Sequence, residues 1–175
     1  VATHAIGDAA NKFVLDTYSA VLPPNNPHRW RVEHAQILQT SDLARFKQYN
    51  ITPSIQATHA TSDCPWIVKR LGENRLKKGY RFKELLDQNG YVAAGSDFPV
   101  EQINPLLGFY AAVVRKNTDG YPSGGFQMDN ALSRWEALQA MTIWAAYSNF
   151  EEHERGSLAP NKFADLVVLD QDIMT

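Results

Sequence analysis

Three side chains that bind divalent metal ions in many proteins lie at or just past the ends of predicted strands: His4, His34 and Asp97. The carboxyl ends of parallel strands in an α/β barrel meet at one face, where catalytic groups collect. We therefore expect the three side chains to converge there. Two imidazoles and one carboxylate suit zinc, and a second ion of similar character is compatible with them.

This set of residues predicts metal-assisted hydrolysis. A bound divalent ion lowers the pKa of its water towards about 7, which makes a nucleophile available at neutral pH. Asp97 could take the proton of that water and later deliver it to the leaving nitrogen or oxygen. His4 and His34 would hold the ion without neutralising its charge. Asp97 is thus predicted both as a metal ligand and as the general base and acid.

Each candidate also has a simpler structural interpretation. His4 could be satisfied by backbone groups, and Asp97 could cap the helix that follows it. Their shared place at strand ends favours a site over these alternatives. Asp8 is predicted to cap the helix after Gly7.

Other polar and aromatic residues favour structural roles. Glu33 could support a ligand or pair with Arg29 or Arg31. His28 and His153 lie in polar loops and are predicted to be solvated. The cysteine and the four tryptophans are predicted to pack in the core or in loops: Cys64, Trp30, Trp66, Trp135 and Trp144. Trp66 is also a candidate for lining a substrate cleft.

The elements that must position these residues alternate between strands and helices. Apolar runs predict strands at 1–5, 30–35, 51–56 and 91–95, and a final strand at 164–169. Helical spacing predicts helices at 9–22, 41–49, 82–88 and 106–115, and a capping box of Ser133 and Glu136 opens another. The pattern predicts an α/β fold with parallel strands, about half of a (β/α)8 barrel. Its two open sheet edges make a homodimer plausible.

Composition narrows the function classes. The chain has 175 residues and a net charge of −2, so its charge gives no reason to expect nucleic-acid binding. Its single cysteine excludes an internal disulfide framework and a cysteine-based zinc cluster. No apolar run reaches the roughly 18 residues that a membrane span needs. The chain begins within a predicted strand and without Met, so we expect a fragment of a longer protein. The single cysteine fits a reducing compartment, and we expect a cytoplasmic location.

The chain resembles the amidohydrolase superfamily in an ordered set of segments that covers nearly its whole length. They read HAIGDAAN, RVEHAQIL, QATHATSD, GSDFPVEQINPLLGFYAAVVRK and EALQAMTIWAAYSNFEEHERGSLAPNKFADLVVLD. The likeness is greatest to the branch of YtcJ-like, N-substituted formamide deformylase-like proteins.

The resemblance implies a fold and a set of site residues. Residues 1–155 would form the C-terminal half of a metal-dependent hydrolase (β/α)8 barrel, and 156–175 would return into an accessory β-sandwich. His4 and His34 match metal ligands after barrel strands five and six, and Asp97 matches the aspartate of strand eight. His59 lies in a segment that usually reads Gln-Pro-x-His, and is the candidate substrate-binding residue. Ala57 stands in the place of that proline.

The resemblance also implies an activity. The substrate would be a small molecule with an amide, formamide or cyclic amide C–N bond, and the cofactor one or two divalent ions, expected to be zinc. The family's His-x-His pair and strand-four ligand would precede Val1, so we expect the chain alone to be inactive. The alternatives are a non-catalytic binding or regulatory module, or a truncated product of the family. A weaker alternative is a metal-free lyase that uses the same barrel face.

Overall fold

Four short parallel strands form one sheet in a computed structural model, which describes residues 1–175. The strands lie in chain order, β1-β2-β3-β4, so that β1 and β4 are the edges. Their bounds are Ala2–Ala5 (β1), Arg31–His34 (β2), Thr52–Ile55 (β3) and Ala93–Ala94 (β4). His4 pairs with Glu33, and Glu33 pairs with Ser54. The predicted α/β class with parallel strands is confirmed, and the arrangement is consistent with half of a barrel.

Helices connect the strands and cover the sheet. They are Asp8–Val21 (α1), Thr40–Gln48 (α2), Ala57–Asp63 (α3), Ile67–Leu76 (α4), Phe82–Asn89 (α5), Pro105–Val114 (α6), Arg134–Met141 (α7) and Ile143–Ser148 (α8). A short 3-10 helix spans Met128–Asn130. None of these helices is long and apolar enough to cross a membrane. The segment after β3 contains two helices, α3 and α4.

One hydrophobic core lies between the sheet and the helices. It contains 25 buried apolar residues, among them Leu15, Phe46, Ile55 and Leu85, each fully buried. α1 contributes Val14, Leu15 and Tyr18 from one face, as expected for apolar residues three to four positions apart. The core therefore fixes the helices that carry the loops at the sheet's carboxyl edge.

Local sequence signals explain where several helices begin and end. The Ser133 side chain accepts from the Glu136 backbone N–H, and the Glu136 carboxylate accepts from the Ser133 backbone N–H. This confirms the predicted capping box at the start of α7. Gly90 ends α5 in the left-handed conformation (φ 94°), which glycine adopts readily because it has no Cβ to oppose it.

The prediction of a final strand at 164–169 is wrong. These residues form no ladder with any strand, and the Val167 and Val168 side chains are 77% and 87% exposed. A run of β-branched residues favours extended backbone, but a strand also requires a hydrogen-bonding neighbour. None of the four strands lies beside this segment.

Two smaller predictions are also wrong. Gly7, not Asp8, is the N-cap of α1, and the Asp8 carboxylate instead accepts hydrogen bonds from Gln39 and Arg75. Trp66 and Trp135 were predicted to pack, but they are 45% and 61% exposed. Trp66 is the N-cap of α4 and Trp135 lies in the first turn of α7, so both stand at the ends of helices.

Candidate metal site

Three ligand-type side chains meet at the carboxyl edge of the sheet. His34 ends β2, His59 lies in the first turn of α3, and Asp97 follows β4. One ligand atom from each of the three lies within 4.8 Å of the others. The convergence predicted for His34 and Asp97 is therefore present, and His59 joins them.

His34 occupies a strained position that turns its ring into the cluster. Its φ is 73°, and that of Ala35 is 43°, so two consecutive non-glycine residues adopt left-handed backbone. Such a conformation costs free energy and persists where the surrounding structure over-determines it, often at functional sites. The ring is buried, and no hydrogen-bond partner reaches its Nδ1 atom.

The environment of His34 favours a neutral imidazole. Burial lowers the pKa of His34, and the neighbouring His4 and His59 rings lower it further, against the opposing effect of the Asp97 carboxylate. A metal ion binds imidazole in this neutral form, because the ligating nitrogen must carry a lone pair.

His59 lies between two carboxylates. Its Nε2 atom is 3.0 Å from Asp97 Oδ2, and its Nδ1 atom is 3.1 Å from Glu101 Oε1. Both carboxylates belong to one turn, in which the Val100 and Glu101 backbone N–H groups donate to the Asp97 carbonyl. Asp97 itself has left-handed backbone, with φ of 62°.

His4 lies beside the cluster but outside the set of three. Its neighbour Thr3 faces α1, where the Tyr18 hydroxyl lies 2.6 Å from Thr3 Oγ1, so His4 points to the opposite face of the sheet. The His4 ring meets the His34 ring edge-on, with centroids 4.4 Å apart. The ring is thus within reach of an ion bound near His34, and its ligand role stays a prediction.

A buried hydrogen-bond network holds α3 in place. The Tyr80 hydroxyl donates to Asp63 Oδ2 at 2.7 Å, and Gln36 Nε2 lies 3.1 Å from the same oxygen and 2.9 Å from the Tyr80 hydroxyl. Burial, followed by the Asp63 carboxylate, raises the pKa of Tyr80, so its hydroxyl remains a donor. Asp63 is one turn beyond His59, and Gln36 is two residues beyond His34, so the network couples the two histidine-bearing segments.

A second contact fixes the loops after β1 and β2. The Asn11 side chain is fully buried, and its Nδ2 group lies 3.0–3.1 Å from the carbonyl oxygens of Ala5, Ile6, Gly7 and Ile37. One amide therefore joins the turn that follows His4 to the segment that follows His34.

An apolar cavity of about 170 Å³ lies beside the cluster. Thr58 and Ser96, the neighbours of His59 and Asp97, form part of its wall. Its other walls come from β3, β4, α6 and α7, through residues such as Ile55, Ala94, Phe109 and Met141.

The donors present fit a divalent metal ion. Zinc binds imidazole nitrogen and carboxylate oxygen at about 2 Å, so ligand atoms of one ion lie within about 4 Å of each other. The observed limit of 4.8 Å is close to that spacing and requires only small side-chain adjustments. The buried His34 ring also has a nitrogen, Nδ1, with no hydrogen-bond partner.

Sequence reasoning missed two parts of this arrangement. It placed His59 as a substrate contact, whereas the structure groups its Nε2 with the ligand atoms. It also did not single out Glu101, although the spacing of four residues from Asp97 equals about one helical turn and could have indicated a shared face.

Comparison with known proteins places the chain in a family. The family model described as "Amidohydrolase family" matches residues 1–175. LONG AFTER FAR-RED 3 of Arabidopsis thaliana is 41% identical over 172 residues, which are 97% of this chain and 29% of that protein. YtcJ of Bacillus subtilis (strain 168), whose name places it among the amidohydrolases, is 35% identical over 98% of this chain and 32% of its own length.

Two further comparisons concern chemistry and fold. N-substituted formamide deformylase of Arthrobacter pascens is 31% identical over 98% of this chain and 32% of that enzyme. The crystal structure of an uncharacterized metal-dependent hydrolase from Pyrococcus furiosus superimposes with a TM-score of 0.83 at 31% identity, over 100% of this chain and 34% of that chain.

The chain spans about a third of the length of the curated relatives it matches. Within that third, the family model covers every residue, and the chain superimposes along its whole length on a metal-dependent hydrolase. The chain therefore belongs to the amidohydrolase family, in its YtcJ-like branch.

Proposed function

We propose that this chain forms part of the active site of a metal-dependent hydrolase that cleaves a C–N bond in an amide, formamide or cyclic amide. The observation that carries the proposal is the meeting of His34, His59 and Asp97, whose ligand atoms lie within 4.8 Å of one another. The likeness to N-substituted formamide deformylase favours an amide-type substrate. The substrate would be a small molecule, and the apolar cavity of about 170 Å³ could accept an apolar substituent.

In this proposal His34 and Asp97 hold the metal, and His59 either completes the ligand set or orients the substrate carbonyl. His4, whose ring touches His34, is the further candidate ligand. The ion, expected to be zinc, would supply Lewis acidity and a water molecule of lowered pKa. One or two ions are compatible with these donors.

Asp97 has the position that a proton carrier needs. Its Oδ2 atom lies 3.0 Å from His59 Nε2, and its side chain is about one-third exposed, so that a substrate and water can reach it. We propose that Asp97 takes a proton from the attacking water at a carboxylate oxygen and returns it to the leaving nitrogen. A cytoplasmic location and the pairing of two copies stay predictions.

Replacement of Asp97 by asparagine in the intact protein tests the proposal. The asparagine amide could not accept the proton, so we expect amide hydrolysis to fall by about 10²–10⁴-fold. Asp87→Asn is the matched control, because the Asp87 carboxylate lies on α5, is 60% exposed and pairs only with Lys83. Activity and zinc content would be measured for both variants against a panel of formamides and cyclic amides.

Unchanged turnover in Asp97→Asn would overturn the assigned proton carrier. Stoichiometric zinc with no hydrolysis of any amide would favour the alternative of a binding or regulatory module. Full hydrolysis after complete removal of metal would overturn the metal-dependent mechanism.

A further inference from the structure

We propose that Glu101 is a positioning residue that holds the His59 ring with Nδ1 protonated and Nε2 facing the ligand cluster. This inference rests on the proposed function, because it assigns His59 to the metal rather than to the substrate alone. Glu101 is not itself within the group of three ligand atoms.

The contacts of Glu101 place it behind His59. Its Oε1 atom accepts from the Ser62 hydroxyl at 2.6 Å and lies 3.1 Å from His59 Nδ1. The side chain is 17% exposed, and that of His59 is 12% exposed. Because Ser62 and His59 both belong to α3, a single carboxylate joins this helix to the turn that begins at Asp97.

The chemistry of the two groups decides which nitrogen carries the proton. An ionised carboxylate only accepts hydrogen bonds, and a neutral imidazole has one N–H. An N–H directed from Nδ1 to Glu101 leaves the Nε2 atom with its lone pair. Such a carboxylate–histidine pair fixes the tautomer and the ring orientation of a metal-binding histidine.

The opposite side of the ring then requires a cation. With Nδ1 protonated, the Nε2 lone pair and an Asp97 carboxylate oxygen face each other across 3.0 Å. Two acceptors at this distance repel unless a positive charge lies near both. A metal ion shared with His34 would satisfy them.

Loss of the Glu101 carboxylate should allow His59 to adopt its other tautomer. In Glu101→Ala, His59 would carry its proton on Nε2 and donate it to Asp97, which withdraws both atoms from a metal ion. Glu101→Gln retains a carbonyl oxygen that can accept from Nδ1, so it should preserve the tautomer in part. The pair of variants separates orientation of the ring from general packing at this position.

The experiment uses the intact protein, with Co²⁺ as the metal probe. Cobalt affinity would be measured by competition with a chelator, and the His59 tautomer by nuclear magnetic resonance of the protein loaded with diamagnetic Zn²⁺ and labelled with ¹⁵N-histidine. We expect wild type to show an Nδ1–H tautomer, and Glu101→Ala to show an Nε2–H tautomer with cobalt affinity about 10–100-fold lower. The cobalt affinity of Glu101→Gln should lie between those of wild type and Glu101→Ala.

Glu73→Gln is the matched control, because Glu73 is exposed on α4 and its carboxylate has no hydrogen-bond or ion-pair partner. It should leave both readouts unchanged. The melting temperature of each metal-free variant serves as a check, since a purely structural role would lower it without changing the tautomer of the folded protein.

The outcomes distinguish this inference from the proposed function. Normal cobalt affinity in Glu101→Ala, or a wild-type His59 protonated on both nitrogens and bridging Asp97 and Glu101 in the presence of cobalt, would overturn the positioning role alone. A wild-type protein that binds no divalent metal would overturn the proposed function and, with it, the assignment of His59 to a metal.

Discussion

At the scale of the residue, His34 shows how backbone and side chain act together. The left-handed backbone at His34 and Ala35 turns the imidazole away from the path of β2 and into the cluster. Asparagine tolerates this conformation better than most residues, so it can replace the ligand without adding strain. Substitution by alanine would combine the loss of the ligand with added backbone strain.

We therefore predict that His34→Asn lowers zinc affinity by about 10-fold or more, because a neutral amide is a poor zinc ligand. The melting temperature of the metal-free protein should change little, since the φ of 73° is retained at low cost. Zinc affinity by chelator competition and a thermal melt would measure the two quantities. His28→Asn, at an exposed loop position, is the control.

Equal zinc affinity in His34→Asn and wild type would remove His34 from the ligand set. A large drop in the melting temperature without loss of metal would indicate that the buried ring has only a packing role.

At the scale of the element, α3 has only seven residues and gains its position from tertiary contacts. The Tyr80–Asp63–Gln36 network anchors its last turn, and Glu101 anchors its middle through Ser62 and His59. So short a helix has little stability of its own in water. The location of His59 therefore depends on contacts with residues outside α3.

Tyr80→Phe should destabilise the protein by about 1–3 kcal/mol, because it removes the hydrogen bond to the Asp63 carboxylate and the one from Gln36. The midpoint of urea unfolding would measure the effect. Tyr121→Phe, at a side chain that is 50% exposed, is the control and should leave the midpoint unchanged. An unchanged midpoint in Tyr80→Phe would show that the network contributes nothing to stability.

The alternation of strands and helices could be predicted from the sequence because apolar periodicity and caps are local signals. His34 and Asp97 were identified for the same reason, since each closes a predicted strand. The roles of Glu101 and Asp63 could not be predicted, because their partners lie 42 and 17 residues away, at His59 and Tyr80. The buried Arg115, which lies over the Phe82 ring and donates to the Phe126 carbonyl, was missed for the same reason.

The predicted strand at 164–169 failed for a related reason. Its apolar, β-branched residues carry a local preference for extended backbone, and 164–169 does lack helix. Strand formation depends on a neighbour that local sequence does not specify. Parallel pairing is therefore the part of this fold that only the three-dimensional arrangement reveals.

At the scale of the whole molecule, the amino edge of the sheet is held by a different set of contacts. Arg29 forms a two-pronged ion pair with Glu152, with its nitrogens 2.8 and 3.0 Å from the carboxylate oxygens, and its guanidinium lies 3.6 Å from the centre of the Tyr147 ring. These contacts join the residues just before β2 to the segment after α8, across 123 residues of sequence.

This ion pair should make the stability of the folded protein depend on pH. The Arg29 guanidinium holds the pKa of Glu152 below its ordinary value of 4.5. A lowered carboxylate pKa gives stability that is present above the unfolded value and is lost as the pH falls through the folded value. The contribution should therefore be complete above pH 4.5 and decline below it.

Glu152→Gln tests this prediction through melting temperatures between about pH 3 and pH 7. The variant should melt below wild type at neutral pH, and the difference should shrink as the pH falls below 4.5, where wild-type Glu152 becomes protonated. Glu154→Gln is a control without an ion pair of its own. A constant difference at all pH values would exclude the charge as its cause.

The open sheet should weaken metal binding by the isolated chain. β1 and β4 have free edges, and His4 is exposed on the face of the sheet opposite α1. We predict that the 175-residue chain alone loses zinc on dialysis against a chelator, whereas the intact protein retains about one ion or more per chain. Retention of stoichiometric zinc by the chain alone would show that its own three ligands suffice.

The Asn11 amide is a single group on which both loops of this site depend. Its two N–H bonds are directed at four carbonyl oxygens, so hydrolysis of the amide to aspartate would place a negative oxygen against negative ends of backbone dipoles. The turn after His4 and the segment after His34 would then repel the group that joins them. A single deamidation event, which leaves every proposed ligand intact, would loosen the site as the protein ages.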